Sequence, residues 1–337
     1  MVVTFLFSPS TIAPKFQIEQ IMRVILGPMQ GVLDYVMREI LTKINNYDLC
    51  VTEFVRVVNQ RLPQHVFHRL CPELLHGSRT KSGVPVNVQL LGQEPVWMAE
   101  NAAYAAELGA HGIDINFGCP AKTVNKSKGG AALLEFPERI YQIVKACRQA
   151  VPSDVPVSAK IRLGLEYPEE CFAIVDAIEQ GGADELTVHA RTKLGGYKAS
   201  EIKWEYINQI RKKSTIPLIA NGEIWGHNDA LACMSVTNTD SLMVCRGAFN
   251  IPNLGNMVKH NHDAMAWYDV VKLLLVYSEY DVIDDKGKYY PNRIKQWLSF
   301  LKSAYPEAQD LFRDIRTLTR AQDIIDVISH QHDDLEY

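Results

Sequence analysis

Cys119, followed at once by Pro120, stands just past a short strand-like run, Gly112 to Asn116, in which Ile113 and Ile115 alternate with Asp114 and Asn116. A stretch rich in Lys, Ser and Gly follows and closes on Gly129-Gly130. A thiol at the lip of a strand, before a loop with glycine hinges, is a layout for a reactive group under a lid. A buried small cysteine followed by a surface loop is the plainer reading. An ordinary thiol, with a pKa of ~8.5, is protonated near neutrality, so Cys119 suits a proton donor. A nucleophilic cysteine would want a base beside it, and the local stretch has no histidine.

Further along, Lys160 interrupts the apolar run Val157 to Ile161. A lysine inside such a run is costly unless it meets an anion. The partner could be a carboxylate. It could instead be a cofactor ring that gains negative charge on reduction, as a flavin does. Gln89, inside the run Val86 to Leu90, offers an amide with both a donor and an acceptor, suited to the uracil-like edge of such a ring. His189 offers one more ring-edge donor, or is a satisfied structural histidine. Asn221-Gly222-Glu223 and Arg246-Gly247 pair glycines, for close backbone approach, with one guanidinium, a combination suited to phosphate. Two ordinary turns would read the same way.

These residues must be held by something, and the chain supplies a regular beat. Eight short apolar runs alternate with helix-length segments from residue 23 to about residue 250. Met98 to Leu108, Pro137 to Ala150 and Cys171 to Gln180 read as amphipathic helices, the second with proline in its first turn and the third stopped by Gly181-Gly182. The beat predicts an α/β fold, a (β/α)8 TIM barrel over residues 22–260. No GxGxxG follows the first strand, which weakens an open dinucleotide-binding sheet. Every residue named above then falls on or just after the carboxyl end of a strand, where such barrels carry their active sites.

From residue 261 to 337 only helices are predicted: Ala266 to Tyr280, Asn292 to Ser303, Pro306 to Thr319 and Ala321 to Ser329, with an acidic, frayed tail after His330. In the second, Ile294, Trp297, Leu298 and Leu301 share a core face and Lys295 and Lys302 another. In the third, Arg313, Arg316 and Arg320 share a basic face. This small all-helical domain is therefore a candidate RNA-binding surface, although its acidic residues outnumber its basic ones.

The totals set bounds. The chain has 337 residues, 47% hydrophobic, and a net charge of −4, so any nucleic-acid footprint is local. Seven cysteines with no CxxC pair point to a reducing compartment and to neither a disulfide framework nor a zinc site. No metal is expected. Residues 1–21 are a poor signal peptide, too short to span a membrane, and Met22 directly precedes the first strand. They are read as a dispensable extension, possibly not native, and the protein as a cytoplasmic monomer.

Taken together, Gly27-Pro28-Met29-Gln30-Gly31, Val88-Gln89, Asn116-Phe117-Gly118-Cys119-Pro120, Gly129-Gly130-Ala131, Lys160-Ile161-Arg162, Val188-His189-Ala190-Arg191, Asn221-Gly222-Glu223 and Arg246-Gly247 resemble a bacterial tRNA-dihydrouridine synthase, from Met22 to about residue 325. The wording around Thr52 to Arg56 and Arg293 to Leu298 is most similar to the C subgroup, which acts at uridine 16 of the D-loop. The resemblance implies FMN on the barrel mouth, reduced by NADPH (NADH being the alternative donor). It implies hydride transfer to C6 of a tRNA uridine and protonation of C5 by Cys119. It assigns Pro28, Met29, Gln30, Gln89, Lys160 and His189 to the flavin ring. Asn221, Gly222, Glu223, Cys245 and Arg246 go to its ribityl and phosphate. Arg56, Asn116, Tyr197, Arg293, Lys295 and Arg316 go to tRNA. Two residues depart from the family: Cys245 stands where glycine is usual and is expected to crowd the phosphate turn, and Gln30 stands where a small or acidic residue is common.

Two other classes fit part of the pattern. A flavin barrel acting on a free pyrimidine, as a dihydroorotate dehydrogenase does, would share the barrel, the lysine and the phosphate turn, with no need of a basic helical domain. A non-catalytic tRNA binder would keep the fold and have no need of Cys119 or Lys160.

Overall fold

A computed structural model describes residues 22–125, 129–285 and 289–336. The extension at residues 1–21 and three residues of the loop after Cys119 lie outside them. Eight strands, β1 (Arg23–Leu26), β2 (Leu49–Arg56), β3 (Val86–Leu91), β4 (Ile113–Asn116), β5 (Val157–Arg162), β6 (Glu185–His189), β7 (Leu218–Asn221) and β8 (Ser241–Val244), form a closed parallel barrel in sequence order. Closure is made by β1 on β8, from Arg23 opposite Ser241 to Leu26 opposite Val244.

Side-chain alternation along each strand divides the molecule into layers. On β5, Val157, Ala159 and Ile161 are fully buried in the shell between sheet and helices. Ser158, Lys160 and Arg162 take the opposite face, toward the barrel axis. The barrel interior is apolar at Ile25, Leu49, Val51, Ile219 and Met243. Around it, β3 to β7 add a polar set, Gln89, Asp114, Asn116, Thr187, His189 and Asn221, all buried. Register places Gln89 opposite Asp114, Asn116 opposite Lys160, and Arg162 opposite His189, which is itself opposite Asn221.

Local chemistry sets the helix ends. Pro137–Ala150 and Cys171–Gln180 have the predicted limits, the first with proline at its start and the second ending on Gly181. Asp34 caps Tyr35–Ile44 by accepting the Met37 N–H at 2.9 Å. Strand–helix alternation ends with Leu254–His260, and the rest of the described chain is helical: Trp267–Asp285, Tyr290–Leu301, Pro306–Ile315 and Ala321–Glu336. Ile294, Trp297, Leu298 and Leu301 form the expected buried stripe.

Two expectations for this region need correction. Arg313, Arg316 and Arg320 do not share one helical face. The helix stops at Ile315, just before the β-branched residues of Arg316-Thr317-Leu318-Thr319, and Arg320 precedes the next helix. Two of the three are tied locally, Arg313 to Asp310 and Arg320 to Asp323. Nor does the tail fray after His330: the helix runs on to Glu336, and the His332 ring stacks on Tyr268 with centroids 5.2 Å apart. Among the described residues, no helix is long and apolar enough to cross a membrane, and no group of metal-ligating side chains could hold an ion.

Candidate active site

The carboxyl ends of the strands surround a cavity of about 470 Å³, within the range of small-molecule sites. Fourteen of the residues singled out in the sequence line it: Pro28, Met29, Gln30, Gln89, Asn116, Cys119, Lys160, His189, Tyr197, Asn221, Gly222, Glu223, Cys245 and Arg246.

Cys119 is held by its backbone. Its N–H and that of Gly118 both donate to Asn116 Oδ1, at 2.9 and 3.0 Å. Its carbonyl accepts from Ala131 N at 3.0 Å, across the base of the loop. Gly130 has a φ of +59°, and a Cβ there would lie 2.8 Å from the Cys119 carbonyl oxygen. Gly130 therefore lets the returning chain press against Cys119, a role beyond that of a hinge. Burial pushes the Cys119 thiol up from its ordinary value. The Ala121 N–H and the Arg162 charge pull the other way without cancelling the effect.

Lys160 meets an amide: its Nζ donates to Asn221 Oδ1 at 2.9 Å. Asn221 Nδ2 donates to the Met243 carbonyl at 2.8 Å, so the amide is oriented with its oxygen toward the ammonium. Burial lowers the Lys160 pKa. Two further cations stood in the sequence motifs without an assigned role. Arg162 ties the segments after β4 and β6 on either side of β5, bonding the Gly118, Thr192 and Gly196 carbonyls. Arg191 is fully buried and pairs with Glu223. Each stands two residues past a predicted site residue, Lys160 or His189, and that spacing was the available signal. Trp225, which donates to Glu223 Oε2 at 2.9 Å, gave none.

His189 is neutral. Burial and the charges of Lys160, Arg162, Arg191 and Arg246 lower its pKa well below the ordinary range. Arginine can only donate, so the 3.3 Å contact from Arg191 makes His189 Nε2 the acceptor and leaves the ring proton on Nδ1. The turn after β7 is tight: Gly222 has a φ of +118° and Glu223 one of +56°. A Cβ on Gly222 would meet Ile202 at 2.8 Å and the His189 ring at 3.0 Å. Burial raises the Glu223 carboxyl, but the Arg191 and Trp225 hydrogen bonds and the Arg191 and Arg246 charges outweigh this and leave it below its ordinary value.

Cys245 turns inward. A Cβ on Gly27 would lie 2.6 Å from its Sγ, which also accepts a weak bond from Asn221 Nδ2 at 3.7 Å. Its side chain thus fills space beside β1 at the barrel interior. Gln30 Oε1 accepts from Phe54 N at 3.1 Å, while Glu53 accepts from Gly31 N, so the β1 loop and the end of β2 are tied both ways.

The other expected positions lie outside this cavity. Arg56 is exposed beside the loop after Cys119, where it bonds the Thr123 carbonyl at 3.4 Å. Arg293 forms an ion pair with Asp34, joining the helix Tyr290–Leu301 to the barrel, and lines a second cavity of about 350 Å³ with Gly31, Glu53 and Tyr289. Lys295 donates to the Leu318 carbonyl, and Arg316 is exposed.

A model of the family described as dihydrouridine synthase (Dus) matches residues 25–331. The chain belongs to the dihydrouridine synthase family. This synthase is thus a flavin-dependent oxidoreductase. It is 73% identical over 315 residues to the tRNA-dihydrouridine(16) synthase of Vibrio vulnificus (strain CMCP6), covering 94% of this chain and 99% of that one. It is 55% identical over 303 residues to the protein of the same name from Escherichia coli (strain K12), covering 90% and 96%. Among solved structures, a variant of NCR from Zymomonas mobilis shares the fold, with a TM-score of 0.52 at 14% identity over 72% of this chain and 88% of that one. The mouth of the synthase fits an anionic flavin: three cations, Lys160, Arg162 and Arg246, line it, and the amides of Gln89, Asn116 and Asn221 stand beside them.

Proposed function

We propose that this chain reduces the C5=C6 bond of uridine 16 in the D-loop of tRNA to 5,6-dihydrouridine, with FMN as cofactor and NADPH as electron donor. The observation that carries the reading is Cys119, a thiol kept protonated at the lip of a cation-lined mouth. The names of the relatives, which specify position 16, support the target.

When bound, the reduced flavin supplies the hydride that C6 of the uracil receives. The chain's own residues do the rest. Lys160, with the Asn221 oxygen behind it, stabilises negative charge at the ring edge. Gln89 gives that edge an amide, and neutral His189 a single N–H donor. Arg246 and the backbone at Gly222 and Gly247 receive the phosphate. The target base must leave its stack to lie in the mouth. Asn116 and Tyr197 line its path. Cys119 then delivers the proton to C5, completing the addition of one hydride and one proton across the double bond. Arg56, Arg293, Lys295 and Arg316 place the tRNA by phosphate contact.

Mass mapping of dihydrouridine in tRNA from cells with and without the gene tests this. Loss at position 16 alone is the expected result. Loss at another position would keep the chemistry and overturn the target. No loss anywhere would overturn the function.

A further inference from the structure

The hydrogen bonds beneath the mouth run in one direction, and they begin at a carboxylate to which no step above gives a role. Asp114 on β4 is 1% exposed and does not line the cavity. Its Oδ1 accepts from Ser158 Oγ at 2.7 Å and its Oδ2 from Gln89 Nε2 at 2.7 Å. An amide side chain has a donor end and an acceptor end, and a flip exchanges them. Facing an acceptor, Gln89 must present its nitrogen to Asp114 and its oxygen to the other side. There Asn116 Nδ2 donates to Gln89 Oε1 at 2.8 Å. Asn116, so turned, has its oxygen free to gather the Gly118 and Cys119 N–H groups. Each link leaves the next one orientation. Thr52 Oγ1 accepts the backbone N–H of Gln89 at 3.0 Å and so anchors the strand that carries the relay's first amide. It does so where the β2–β3 register shifts between Val51 and Phe54, so that a side chain takes up a strand N–H.

We propose that Asp114 is a positioning residue for uridine reduction: acting through Gln89 and Asn116, its carboxylate sets the donor–acceptor polarity under the mouth and the place from which the Cys119 thiol acts. This rests on the reading of Cys119 as proton donor. It also gives Gln89, which lines the cavity, a second function, since its amide nitrogen is committed to Asp114. A carboxylate serving stability alone would influence Cys119, if at all, independently of Gln89.

A double-mutant cycle separates the two. Asp114→Leu, Gln89→Leu and the double variant are compared by two readouts. One is the rate at which iodoacetamide alkylates Cys119, followed by peptide mass. The other is the rate at which saturating tRNA reoxidises the reduced holoenzyme. Asp114→Leu leaves the Gln89 nitrogen without its acceptor and is expected to change both rates by about tenfold. In the Gln89→Leu background it is expected to change neither by more than about twofold. Asp114→Asn, which can keep its oxygen toward Gln89 while the Ser158 hydroxyl turns to accept, is expected to restore both. Independent, multiplying effects of the two leucine variants, or an Asn variant as damaged as the Leu variant, would overturn the proposal. Should Asp114→Leu fail to fold, Ser158→Ala carries the same cycle, because it removes the other group that holds the carboxylate in place. If the alkylation rates obey the cycle while wild-type enzyme is not reoxidised by tRNA, the relay stands and the reading of the reaction fails.

Discussion

Lys160 on β5 and Asn221 on β7 meet across the barrel mouth, Nζ to Oδ1 at 2.9 Å, so the lysine that lines the cavity rests on a neutral partner. A carboxylate there would cancel the charge. An amide orients the ammonium and leaves its field intact for a ligand. Lys160→Met is therefore expected to weaken flavin binding by about tenfold to a hundredfold, the scale of a lost hydrogen bond to a charged group. Fluorescence titration of flavin into the apoprotein measures it. Unchanged affinity would move the flavin away from Lys160.

Cys119→Ala removes only the proton donor. Flavin affinity and tRNA affinity should stay near wild type, while reoxidation of the reduced enzyme by tRNA falls about a hundredfold to ten-thousandfold, the range for loss of a general acid. Stopped-flow flavin absorbance reads this directly, and a variant with normal turnover would remove Cys119 from the mechanism.

The pH profile of that same step follows from the thiol. Burial lifts the Cys119 thiol above its ordinary value. The working form is the protonated one, so the rate should be flat through neutrality and fall only above the ordinary thiol range, as the proton is lost. A rate that climbs with pH through neutrality would mean that the thiolate is the reactive species.

Gly130 is held at positive φ against the Cys119 carbonyl. Gly130→Ala adds a Cβ that the backbone cannot yield to. It should cost about 1–3 kcal/mol of stability, visible in thermal unfolding, and slow uridine reduction while leaving flavin affinity near wild type. If turnover is unaffected, the loop closure does not set the position of the thiol.

The basic residues of the helical region should divide into two kinds. Arg316 is exposed, and its replacement by alanine should lower the slope of log affinity for tRNA against log salt by about one phosphate contact. Arg293 is tied to Asp34 on the barrel. Arg293→Ala should therefore lower the unfolding temperature as well as tRNA affinity. A salt slope that neither change alters would put the RNA elsewhere.

Much of this was legible in the sequence because a parallel barrel writes its geometry into order. Alternation of apolar runs with helices gives eight units, and the residues after each run fall at one end. Cys119, Lys160 and Asn221 could be picked out for that reason. Asp114 could not: its place on the inner face of β4 was readable, but its bonds to Ser158 on β5 and Gln89 on β3 depend on strand register. The basic face of Arg313, Arg316 and Arg320 was misread because periodicity carries on where a helix has stopped. The tail after His330 was misread as frayed because its contact with Tyr268 is about sixty residues distant in sequence.

Four cations crowd a histidine that stays uncharged. Three of them, Lys160, Arg162 and Arg246, line the mouth, which makes it attractive to anions in general. Inorganic phosphate, sulfate and free nucleotides will compete with the cofactor for the same charges. Reloading of flavin-stripped enzyme should therefore be slower in phosphate than in a bulky zwitterionic buffer.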